Sequence, residues 1–88
     1  MSNKNNFNIS VNPNPFNQQA SIFFSTPQQI NVMISLYNLN WEKVKTVLNE
    51  KQNAGFHYFN IIFPELNPGI YFLEVRTDNF YEIKKIIR

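Results

Sequence analysis

Few side chains in this sequence could do acid–base or metal chemistry. His57 is the only histidine, Asp78 the only aspartate, and there is no cysteine. One imidazole cannot build a histidine-ligated metal centre, and thiolate ligation is excluded. His57 alone could act as a base or a pH switch. No partner stands at a recognisable spacing from it, so it reads as a part-buried strand histidine with its ring bonded to backbone. The glutamates Glu42, Glu50, Glu65, Glu74 and Glu82 are scattered. A carboxylate pair can flank a sugar in a glycosidase, but this scatter suits solvated strand faces. Glu74 and Glu82 fall on neighbouring hairpin strands, where lysine or arginine can face them. The serines lack any Ser–His–acid motif. A Gly-rich phosphate loop and an acidic calcium loop are both missing. The expectation is a non-enzyme without metal or cofactor.

Two other groups could recognise a partner. Trp41 lies in a turn and offers an aromatic platform for a sugar, or a lid folded onto the sheet edge. Small domains recruit loop aromatics into their cores, which favours the lid. Lys84, Lys85 and Arg88 form a basic group at the end of the sequence. Lysines on an edge strand discourage edge-to-edge aggregation. Such a strand can also add to another sheet, with its side chains setting specificity.

The elements that carry these residues are strands. Phe7 to Asn12 alternates, with Phe7, Ile9 and Val11 on one face. Pro13 and Pro15 then end the ladder, since neither has an N–H to donate, and Phe16 is expected to plug that corner. Ala20 to Ser25 directs Ala20, Ile22 and Phe24 inward, and Phe23 outward under a neighbouring loop. Thr26-Pro27-Gln28 turns the chain. Ile30 to Asn38 is the clearest strand. Ile30, Val32, Ile34 and Leu36 face the core, and Asn31, Met33, Ser35 and Tyr37 a half-wet surface. Asn38 to Trp41 turns. Glu42 to Leu48 follows, with Val44, Thr46 and Leu48 on one face, and its β-branched residues argue against a helix. Asn49 to Asn53 reads as a polar loop.

Gly55 to Phe63 is a strand with His57, Phe59 and Ile61 on one side. Pro64 to Pro68 crosses between sheets. Gly69 to Thr77 places Tyr71, Leu73 and Val75 inward. Asp78-Asn79 is a two-residue hairpin turn in which both residues tolerate positive φ. Phe80 to Arg88 completes the fold. About seven strands at this spacing predict an all-β, immunoglobulin-like or fibronectin III-like antiparallel sandwich.

Composition agrees with one small domain. The 88 residues contain nine Phe, four Tyr and one Trp, which suit a thin two-layer core. Asparagine is abundant, at fifteen residues, and recurs at the expected turns, where it can replace glycine in a chain with only Gly55 and Gly69. A net charge of +2 is too small to argue for nucleic acid. No apolar run is long enough to span a bilayer. Residues 1–6 have no apolar core and are not a secretory signal. They read as a linker remnant or an artificial start before a domain over residues 7–88.

Val11-Asn12-Pro13-Asn14-Pro15-Phe16 and Gly69-Ile70-Tyr71-Phe72-Leu73-Glu74-Val75, followed by Lys84-Lys85-Ile86-Ile87-Arg88, carry a family resemblance. Asn31 to Leu39, Lys43-Val44 and Ala54-Gly55-Phe56-His57 lie between them. In order and spacing these elements, over about residues 9 to 88, resemble the C-terminal sorting domain of type IX secretion cargo in Bacteroidetes. One departure is Trp41, near a turn position where the family usually has glycine. Positive φ is costly for Trp, so the turn should differ or the register should shift.

The resemblance implies a non-catalytic signal that directs a fused upstream passenger, through the periplasm and the outer-membrane translocon, to the cell surface or medium. It implies removal by a sortase-like protease, with a cut around Asn3 to Asn8, and attachment of the passenger to surface lipopolysaccharide. Translocon recognition would fall on Gly69, Tyr71, Lys84, Lys85, Ile86, Ile87 and Arg88. Pro13, Asn14, Pro15, Phe16 and Gly55 would be structural. The residues alone also admit a carbohydrate-binding or adhesive module using Trp41, Tyr37 and Tyr58. A single-strand nucleic-acid binder of barrel type is disfavoured by the low charge. Oligomeric state is left open.

Overall fold

A computed structural model describes residues 8–12, 19–62 and 66–88. Seven strands follow one another: β1 (Asn8–Asn12), β2 (Gln19–Thr26), β3 (Ile30–Tyr37), β4 (Lys43–Gln52), β5 (Gly55–Ile62), β6 (Ile70–Arg76) and β7 (Tyr81–Ile87). They form two antiparallel sheets, one ordered β1-β2-β5 and the other β4-β3-β6-β7. This is the expected all-β sandwich of about seven strands. Phe7, Pro13, Asn14, Pro15, Phe16 and Phe63, and Pro64 and Glu65 of the crossing to Pro68, lie outside the described residues.

Alternation explains the core. Along β2, Ala20, Ile22 and Phe24 are buried, while Phe23 between them is 48% exposed. The β3 positions Ile30, Val32, Ile34 and Leu36 meet Leu73 and Val75 of β6 and Ile86 of β7 in one buried cluster. Each such aliphatic side chain contributes about 1.5–3 kcal/mol on burial. In β5 the inward set is His57, Phe59 and Ile61, as the alternation requires. Phe23 packs on Tyr58 of the neighbouring strand, with ring centroids 4.7 Å apart, rather than under a loop.

The β4 strand departs from expectation. Asn49, Glu50, Lys51 and Gln52 are not a loop: they pair with Met33, Val32, Asn31 and Ile30. The buried β3 strand needs partners for its backbone groups along its whole length. That requirement outweighs the low strand propensity of these polar residues. Only Asn53 and Ala54 remain for the turn. Register also slips twice, since Ser35 faces Thr46 while Ile34 faces Leu48, and Tyr37 faces Lys43 while Leu36 faces Lys45. Val47 and Val44 are the extra residues at these bulges, which reset the faces of the strand. Leu48 stays buried, whereas Val44 and Thr46 are exposed, so the three do not share a core face.

Ser35 is a second departure. It points away from the core yet is fully buried, between Thr46 and Glu74 in its row of the sheet. Its hydroxyl finds no hydrogen-bond partner among the described residues.

Candidate functional site: the terminal hairpin

The β6–β7 hairpin carries the basic terminal residues. Its turn sits at Asp78-Asn79, with the Thr77 N–H donating to the Phe80 carbonyl at 2.8 Å. Neither Asp78 nor Asn79 takes the positive φ expected of them; among described non-glycine residues only Trp41 does. The Thr77 hydroxyl supports the turn instead, accepting from the Asn79 N–H at 3.4 Å.

At the open end, pairing continues past β7. Gly69 N–H donates to the Arg88 carbonyl at 3.1 Å, and Arg88 N–H donates back to Gly69 at 2.9 Å. Gly69 has φ +152°, with open space where a Cβ would stand, so glycine is needed there for backbone conformation. Gly55, at φ +121° with equally open space, plays the same part where β5 begins. The Arg88 guanidinium reaches over to donate to the Leu66 carbonyl. The last residue is thereby tied to the start of β6 by backbone and side chain.

The seven residues expected to meet a translocon divide by environment. Tyr71 and Ile86 are core residues. The Tyr71 hydroxyl donates to the Asn67 carbonyl at 2.6 Å, pinning the segment that enters β6. Lys84 and Lys85 point to opposite faces, as neighbours on a strand must. Half-buried Lys84 meets Glu82 at 3.8 Å, while exposed Lys85 lies opposite Phe72 on the outer face. Ile87, 38% exposed, sits opposite Ile70 on that same face. β7 itself is the edge of its sheet.

Trp41 belongs to this outer face too. Its ring stacks on Phe72 with centroids 4.9 Å apart and planes at 12°, and lies tilted against Tyr37 at 5.6 Å. It is a lid, but over the two central strands on the outer face rather than at the sheet edge or in the core, and it stays 51% exposed. The turn does not avoid positive φ: Trp41 itself stands at φ 62°. Asn38 holds it there. The Asn38 carbonyl accepts from Trp41 N–H at 3.0 Å. Its side-chain oxygen accepts from the N–H groups of Asn40 at 2.9 Å and Glu42 at 3.0 Å. Ring stacking and this cage together offset the backbone strain.

Sequence reasoning missed a cluster beside the lid. The Glu74 carboxylate, nearly buried, accepts from the Tyr81 hydroxyl at 2.9 Å, from Arg76 at 3.2 Å and more weakly from the Tyr37 hydroxyl at 3.4 Å. Arg76 also lies over the Tyr81 ring at 5.4 Å. The bond to Glu74, with some desolvation and the carboxylate charge, raises the Tyr81 pKa above its usual 10.0. A Glu-x-Arg pair on one strand was visible, but its two tyrosines come from other strands. The ion pairs of Glu74 and Glu82 run along their own strands, to Arg76 and Lys84, while the bond Glu74 accepts across the hairpin comes from Tyr81.

His57 is as expected. Its Nε2 lies 2.7 Å from the Asn53 carbonyl, and its ring stacks on Phe24 at 5.0 Å. Among the described residues, no three histidines or acids gather as a metal site. Tyr58 lies on the other sheet from Tyr37 and Trp41, so those three cannot form one glycan platform.

Residues 10–88 match the family model of the secretion system C-terminal sorting domain. The chain belongs to that family. No curated protein matches it. A type IX sorting domain is a signal, which ties this one to the type IX machinery, to a fused upstream passenger, and to export to the cell surface or medium. Among its described residues, no helix is long and apolar enough to cross a membrane.

Proposed function

We propose that this sorting domain acts as a non-catalytic substrate of the export machinery and presents its terminal hairpin, residues 69–88, for recognition. The observation that carries this reading is the reciprocal Gly69–Arg88 pairing, which keeps the hairpin paired through Arg88. A strand so held presents Lys85 and Ile87 in a fixed geometry at the edge of the sheet, where a receptor can add a strand and read alternate side chains. Lys85, Ile87, Lys84 and Arg88 supply surface contacts, while Gly69, Tyr71 and Ile86 act by holding the hairpin. Pro13, Asn14, Pro15 and Phe16 keep the structural role that the family resemblance implies.

The domain passes through the periplasm with its passenger. A sortase-like protease then cuts near Asn3 to Asn8, and the passenger is attached to surface lipopolysaccharide. The test is a transplant: a signal peptide and a fluorescent passenger fused to residues 7–88, in a Bacteroidetes host and in a matched host lacking the translocon. Fluorescence at the surface or in the medium of the intact host alone is the expected result. Periplasmic retention in both hosts, with the domain folded, would overturn the reading.

A further inference from the structure

We propose that the outer face of the three-stranded sheet binds a neutral polysaccharide, with Phe23, Phe56 and Tyr58 stacking on its sugar rings. This goes beyond sorting and uses the face opposite the Trp41 lid.

The aromatics arise from alternation. Because β2 carries Phe23 and Phe24 in succession, one must point outward. On β5, Phe56 and Tyr58 share the outward phase. The register sets Ser10, Phe23 and Tyr58 in one row, and Ser25 with Phe56 in the next. Phe56 is 91% exposed, Tyr58 55% and Phe23 48%. Contiguous apolar surface of this kind on a soluble domain marks an interaction site. An open groove of about 300 Å³ runs beside the rings, lined by Ile9, Ser10, Phe23, Phe24, Ser25 and Phe56. That volume is at the small end for ligand sites.

The polar groups choose the occupant. β1, β2 and β5 contain no Asp, Glu, Lys or Arg, and their one imidazole, His57, points inward. The other sheet, by contrast, places Lys43, Glu74, Arg76 and Lys85 on its outer face. Beside the rings stand hydroxyls and an amide already in a chain: Tyr58 hydroxyl to Ser21 Oγ at 3.1 Å, and Ser21 Oγ donating to Asn60 Oδ1 at 3.3 Å. A pyranose has C–H groups on its faces and hydroxyls around its rim. Its faces suit the aromatic rings, and its rim suits uncharged groups that both donate and accept. These three strands, carrying no charge, offer nothing to an anionic polymer.

Affinity electrophoresis of the intact chain tests this, using laminarin, xyloglucan and soluble starch as probes and alginate as the anionic counter-probe. Retardation by at least one neutral polymer and none by alginate is expected. Phe56→Ala and Tyr58→Ala should each weaken it about tenfold, the effect of losing roughly one buried aromatic contact. Val44→Ala, an exposed apolar residue on the other sheet, should leave it unchanged. Both aromatic residues are exposed, so the variants should keep the parent's melting curve, checked by circular dichroism. Failure of all three neutral polymers would overturn the proposal. So would a concentration-dependent dimer abolished by Phe56→Ala in sedimentation equilibrium, which would assign the face to a second copy.

Discussion

Gly69 and Arg88 exchange both of their backbone hydrogen bonds, at 3.1 and 2.9 Å, so the last residue of the chain is a member of the four-stranded sheet. On the proposed role of the hairpin, folding and recognition draw on the same few residues, and substitutions can separate them. Ile86→Ala removes a side chain that is 2% exposed and should cost about 2–5 kcal/mol. Lys85→Glu changes an exposed position and should stay within about 0.5 kcal/mol. Urea unfolding checks both values. Export of a fused passenger should fall for both variants, but with a folded domain only for Lys85→Glu; normal export of that variant would remove Lys85 from recognition.

Trp41 couples strain to stacking. Trp41→Ala loses the ring contact with Phe72 and keeps a side chain at φ 62°. Trp41→Gly loses the same contact but relieves the backbone. The glycine variant should be the more stable of the two by about 1 kcal/mol, measured as the difference between urea midpoints.

Ser35→Ala should be neutral or stabilising by up to about 1 kcal/mol. A buried hydroxyl without a partner carries its desolvation cost into the folded state, and alanine removes it. A clear loss of stability would reveal a hydrogen bond from this hydroxyl. Thermal melting is sufficient to decide.

Tyr71→Phe should cost about 1 kcal/mol, because the hydroxyl bonds the Asn67 carbonyl at 2.6 Å while the ring fills the core. The fold should survive, since the ring remains. Amide exchange should show the loss as weaker protection at the start of β6.

Tyr81 gives a pH dependence. Its pKa is raised in the folded state, chiefly because its hydroxyl donates to Glu74. The folded state thus holds this proton more tightly than the unfolded chain does. The stabilisation is fully present below pH 10.0 and is lost as pH rises through the raised value. Urea midpoints taken across the alkaline range should fall more steeply for the parent than for Tyr81→Phe.

The hairpin and most of the core were legible in the sequence because period-two alternation leaves little choice where one face is buried. Ala20, Ile22 and Phe24, the β3 set, and Tyr71, Leu73 and Val75 all face the core as the pattern requires. His57 was legible as well, since a lone imidazole on an alternating strand has only backbone to bond. The candidate site was legible as a position in the chain, with Lys84 and Lys85 on the final strand, but not as a surface: strand geometry sends the two lysines to opposite faces.

The sequence by itself determined an all-β sandwich, the positions of nearly all its strands and, through ordered motifs, its family. These depend on local alternation, turn residues and spacing, which are written along the chain. Only the tertiary structure decided that Asn49 to Gln52 is strand, that two bulges turn Val44 and Thr46 outward, and that Trp41 takes positive φ. It alone gathered Tyr37, Glu74, Arg76 and Tyr81, and it set Phe23 beside Tyr58. Each of these rests on pairing between residues distant in sequence, where the hydrogen bonds of a neighbouring strand, or a ring packed from across the sheet, outweigh local preference.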